Sequence, residues 1–122
     1  MEPVEKTKIL NSIGVIYEKS KKAKLENSFL EALAPDLQTV SGYFKTTHKE
    51  SFLIALVFAL NYKGRTVDFN DLLQFIECNP IALLQFSEEF EALTQSEIFV
   101  LEKSHGNNGV GFRGEFFINN KI

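Results

Sequence analysis

A chain of 122 residues, 44% of them hydrophobic, is long enough for one domain with a small extension and too apolar to stay disordered. Its single cysteine, Cys78, excludes an internal disulfide framework and predicts a reducing, cytoplasmic setting. The net charge of −3 hides an asymmetry: residues 1–65 hold ten Lys/Arg against seven Asp/Glu, and residues 66–122 hold three against nine. Twelve Phe and no Trp point to a core built on phenylalanine. The opening residues lead into an amphipathic pattern, not the apolar stretch of a secretory leader. The longest apolar run, Phe52 to Leu60, falls well short of the roughly 20 residues a membrane span needs.

Ile9, Leu10, Ile13, Ile16 and Tyr17 share one helical face and predict a helix over residues 4–20. Gly14 lies inside it at a cost of about 1 kcal/mol against Ala, so tertiary packing is expected to support it. After the polar break at residues 20–24, Leu25, Phe29, Ala32 and Leu33 predict a second, shorter helix that Pro35 ends. One further turn is expected around Leu37 and Val40, closed by Gly42.

Thr47-His48-Lys49-Glu50 has the form of a capping box. It opens a helix over residues 49–62 that is apolar almost all round, hence central to the core. Gly64 suits its C-terminus, and Thr66-Val67 can form a short strand. Asp68, with Asp71 three residues on, caps a helix in which Leu72, Leu73 and Ile76 face inward. Asn79-Pro80 opens the next helix, with Leu83, Phe86, Phe90 and Leu93 as its apolar stripe through to Gln95. Two helices with a tight turn between them, the second entered by Asn-Pro, follow the grammar of a helix-turn-helix. Residues 98–102 and 112–118 are β-rich and flank a Gly/Asn cluster at 104–109, which predicts a hairpin.

The order of core helix, short strand, helix, turn, helix and hairpin resembles a winged-helix domain over roughly 75 residues. The expected fold class is therefore mainly α with a small β-hairpin: a helical extension over residues 1–46, two helices strong, and a winged-helix domain over residues 47–122. The stretches Phe52 to Asn61, Val67 to Leu73, Cys78 to Leu84 and Phe90 to Leu93 resemble the winged-helix region that precedes the ATPase module in a Bacteroidetes-type family of bacterial AAA+ ATPases. The resemblance implies that nucleotide hydrolysis belongs to sequence beyond Ile122, because the P-loop pattern Gly-x4-Gly-Lys-Ser/Thr occurs nowhere in these residues.

Other patterns read better as structure than as chemistry. Gly109-Val-Gly111-Phe-Arg-Gly114 matches a dinucleotide fingerprint in letters, but a β-rich run follows it where a helix is required. His48, His105 and Cys78 sit on unlike elements, too few and too scattered for a structural zinc site, and nothing sets a base beside Cys78. Glu88, Glu89 and Glu91 lie off the apolar stripe and predict a solvated acidic face. Lys19, Lys21, Lys22 and Lys24 could meet phosphate but read more simply as a solvated turn between helices. No catalytic residue, metal or cofactor is expected, and the chain reads as a non-enzymatic binding module.

Two kinds of partner remain open at the sequence level. DNA binding would place the second helix of the helix-turn-helix in the major groove, with Lys/Arg on phosphate. Between Pro80 and Gln95 there is no Lys or Arg, and there are three Glu, so a DNA-binding transcriptional regulator is the disfavoured alternative. A protein partner, or the downstream ATPase module, is preferred, and no membrane contact is expected. The candidate contact residues are Gln85, Glu88 and Glu89 on the helix, and Lys103, His105, Asn107, Asn108 and Arg113 in the wing.

Overall fold

The computed structural model describes residues 3–25, 28–61, 67–102 and 115–118, and over these the chain is mainly helical. Helix α1 (Pro3–Ser20) turns Ile9, Ile13 and Ile16 into the core, as their i, i+4, i+7 spacing requires. Buried Ser20 donates its hydroxyl to Ile16 O at 2.6 Å, so its polar atom is satisfied within the last turn.

The next segment departs from expectation. Pro35 does not end a helix; it stands in the first turn of one. A single helical turn, α2 (Phe29–Ala32), is followed at once by α3 (Ala34–Phe44), an 11-residue helix where one further turn was expected. The missing N–H of Pro35 costs nothing there, because first-turn amides have no intrahelical partner. Fully buried Leu33 joins the two helices, so the local geometry is set by packing that periodicity alone does not reveal. Gly42 likewise does not close α3 but lies inside it; the stop is Lys45, left-handed at φ 57°.

Helix α4 (His48–Asn61) opens on the capping box read from the sequence. Glu50 N–H donates to Thr47 Oγ1 at 3.1 Å, and Thr47 N–H donates to Glu50 Oε1 at 2.8 Å. Every residue from Ser51 to Val57 is buried. Ser51 is tolerated because its hydroxyl reaches Thr47 O and Thr46 Oγ1, both at 2.8 Å. Leu60, expected in the core, is only partly buried against it.

Strand β1 (Val67–Asp68) leads into α5 (Phe69–Ile76), α6 (Pro80–Leu84), α7 (Ser87–Gln95), β2 (Phe99–Glu102) and β3 (Glu115–Ile118). The three described strands form an antiparallel sheet in the order β1-β3-β2, so the last of them in sequence is the central one. Val67 stands opposite Phe116, Phe99 opposite Ile118, and Glu102 opposite Glu115. The expected turn cluster at 104–109 and the glycines 109, 111 and 114 lie outside the described residues, as does Gly64.

Helices α1, α3 and α7 and strand β3 all pack on α4. One continuous apolar cluster runs from Ile9, Ile13 and Ile16 through Leu37, Val40 and the α4 residues to Leu72, Ile76, Phe86, Phe90, Leu93 and Phe99. Among the described residues, the N-terminal helices and the elements that follow therefore share a single core. Phe52 sits at its centre, fully buried, with Phe29 edge-on at 5.9 Å and Phe86 tilted at 5.7 Å between ring centroids. Burial of one such side chain is worth about 1.5–3 kcal/mol, and each favourable ring pair adds about 0.5–1.5 kcal/mol.

Candidate recognition face

The segment from α5 to α7 carries the three described candidate contact residues, Gln85, Glu88 and Glu89. Its first helix is fixed by a second reciprocal cap: Asp71 N–H donates to Asp68 Oδ1 at 2.7 Å, and Asp68 N–H donates to Asp71 Oδ2 at 3.0 Å. Asn79 then accepts the Ala82 N–H at 2.9 Å, with Pro80 at the first helical position, as the Asn-Pro signal predicts.

The helix expected to run unbroken from Pro80 to Gln95 is instead two, joined at Gln85-Phe86. Phe86 N–H turns to Leu83 O, three residues back, at 3.0 Å, and the α pattern resumes with Phe90 N–H on Phe86 O at 3.0 Å. The tightening lets the Phe86 side chain enter the core beside Phe52 while Gln85 stays outside. Lys49 Nζ lies 5.6 Å from the centre of the Phe86 ring, a cation–π contact at the joint.

Gln85 and Glu88 are exposed. Glu89 departs from the expected fully solvated face: it is half-buried, and its Oε1 is enclosed with no hydrogen-bond partner among the described residues. Glu88 and Glu89 occupy the first turn of α7, where the helix dipole favours carboxylates. Gln95 Nε2 donates to Glu91 Oε1 at 3.3 Å, so its amide is turned along its own helix. The wing candidates Lys103, His105, Asn107, Asn108 and Arg113 lie outside the described residues.

From 67 to 102 the chain holds eight Asp/Glu and no Lys or Arg. Among the described side chains of this acidic stretch, one large apolar residue stands out: Ile81 on α6, 67% exposed. Gln85 is one helical turn further along, so the two share a face. A group of cations lies by the C-terminal end of α5. Lys19, Lys21, Lys22 and Lys24 are all exposed around the α1–α2 turn, and Lys22 Nζ is 4.0 Å from Glu77 Oε2. That ion pair is largely solvated, so it adds little.

The remaining candidates for chemistry are separated. His48 begins α4, with Nε2 3.3 Å from Gln38 Oε1. Cys78 is half-buried in the α5–α6 turn, and burial pushes its thiol pKa up, away from the reactive thiolate. Among the described residues, no group of three His, Cys, Asp or Glu is arranged to hold a metal ion, and no helix is long and apolar enough to cross a membrane. The chain matches no protein family, no curated protein and no solved structure with which it was compared.

Proposed function

We propose that the chain is a non-catalytic interaction module of winged-helix type, working in the cytoplasm ahead of an AAA+ ATPase module, with residues 1–46 as its helical extension and residues 47–122 as the winged-helix domain. The element order from α4 to β3 supports this reading, as does a sheet in which the short first strand pairs with the last. The face that meets the partner is α6–α7, and the partner is a protein surface or the ATPase module itself.

The observation that carries the choice of partner is the charge of residues 67–102, eight carboxylates and no cation. Binding to a nucleic-acid backbone rests on Lys and Arg neutralising phosphates. Each carboxylate brought near a phosphate opposes that term. Exposed Ile81, with exposed Gln85 one helical turn on, instead offers the apolar anchor with a polar neighbour that protein interfaces use.

The encoding gene, read past Ile122, supplies the first test: a downstream Gly-x4-Gly-Lys-Ser/Thr motif supports the ATPase assignment, and a stop codon removes it. The binding test compares a duplex DNA with the purified downstream module at about 50 mM salt, where electrostatic binding is strongest. The expected result is binding to the module, lost in Ile81→Glu, with no tight DNA binding. Nanomolar DNA affinity that Arg113→Ala abolishes would replace this reading with the transcriptional regulator.

A further inference from the structure

The turn between α1 and α2 is tied to the far end of α5. Lys22 N–H donates to Phe75 O and Lys24 N–H donates to Ile76 O, each at 2.9 Å. These are the last two carbonyls of α5, which have no acceptor role inside the helix, since its final bond runs from Glu77 N–H to Leu73 O. Lys22, Lys24 and Leu25 hold φ values of 59°, 65° and 54°, a left-handed region that residues with side chains avoid. Such conformations persist where surrounding contacts over-determine them. One further contact does so here: the Tyr17 ring stacks on Phe75 at 4.9 Å with 23° between planes. The lysines also bring positive charge to the C-terminal end of α5, where the helix dipole favours it.

We propose that residues 21–25 are a clamp. This turn of the N-terminal helices fixes the C-terminal end of α5 and, through Glu77-Cys78-Asn79, the direction in which α6 departs. The α6–α7 face is then aimed by α1, whatever it binds. The clamp also accounts for a turn without Gly, Asn or Asp at its left-handed positions.

Amide hydrogen exchange on the full chain tests it with two variants of one residue. Lys24→Pro removes the donor and cannot adopt φ 65°. Lys24→Gly keeps the donor and adopts that conformation freely. In Lys24→Pro the amides of Lys22 and Glu77 should exchange at least about tenfold faster, with those of Leu37, Val40 and Ser41 in α3 little changed, the signature of local opening. Lys24→Gly should keep the Lys22 and Glu77 amides protected and raise the thermal midpoint. Uniform acceleration across α3, α4 and the turn, or no change at Glu77, would overturn the clamp. If Lys24→Pro does not fold, Lys24→Gly decides: a raised midpoint supports the clamp, and a lowered or unmoved one refutes it.

Discussion

Phe90→Ala removes the aromatic ring that holds α7 in the core. The side chain is fully buried, and its ring stands 6.4 Å from that of Phe99, also buried. Truncation therefore loses three things: the transfer energy of the ring, about 1.5–3 kcal/mol, the ring pair, about 0.5–1.5 kcal/mol, and the contacts of whatever cavity fails to collapse. Together these put the loss at about 3–5 kcal/mol, the usual range for buried aromatic truncations. Set against a total stability of roughly 5–15 kcal/mol, the variant should stay folded at 25 °C but with a strongly reduced denaturation midpoint. Urea unfolding followed by circular dichroism measures it, and an unchanged slope would show that the midpoint shift reports stability alone. A change below about 1 kcal/mol would mean that Phe90 is not core and that α7 does not sit against α4 and β2 as described.

Gly14→Ala and Gly42→Ala should each stabilise by about 0.5–1 kcal/mol, because both glycines are exposed within helices and an added Cβ meets nothing within 4 Å; calorimetry reads the gain, and a loss at either would place a hidden contact there. Thr47→Ala should cost about 1 kcal/mol by opening the α4 capping box, and Asn79→Ala a similar amount at α6, whereas Asn79→Gly should cost only a few tenths; equal losses for Ala and Gly at 79 would count against a cap. Burial raises the Cys78 pKa, so its neutral form is favoured in the fold. That contribution to stability is complete below the ordinary thiol pKa and is lost as pH rises through the raised one, and alkylation of the native protein at pH 8 should lag that of an unstructured thiol. Ile81→Ser should shift stability by less than about 0.5 kcal/mol, as an exposed position allows, while weakening capture of the downstream module.

What the sequence disclosed follows the range of the interactions involved. Local chemistry was legible: both reciprocal caps, Thr47 with Glu50 and Asp68 with Asp71, need only three residues of spacing. The central burial of α4 was legible from apolar residues on every side of one helix. Boundaries decided by tertiary packing were not. Pro35 reads equally well as a stop or as a first-turn residue, and buried Leu33 settles which. The stripe Leu83, Phe86, Phe90 and Leu93 survives the break at Gln85-Phe86, so periodicity cannot reveal that break. Of the candidate contact residues, Gln85 and Glu88 are exposed as a binding role requires, and Glu89 is partly withdrawn. The left-handed lysines had no signature to find, since nothing in Lys22 or Lys24 announces a positive φ.

The unbroken burial of Ser51 to Val57 has a consequence for the chain before it folds. In the native state seven successive side chains are hidden, but on a nascent or unfolding chain Phe52 to Leu60 is an uncharged, proline-free, strongly apolar segment. Its covering comes from both sides in sequence, α1 and α3 from before and α7 and β3 from after, so synthesis must pass Ile118 before the segment is fully sheltered. Lys49 and Lys63 bracket it with charge, the arrangement that slows self-association of an exposed apolar run. Heat-induced loss of this protein should accordingly be governed by precipitation of the opened chain, with an apparent midpoint that moves with scan rate and protein concentration.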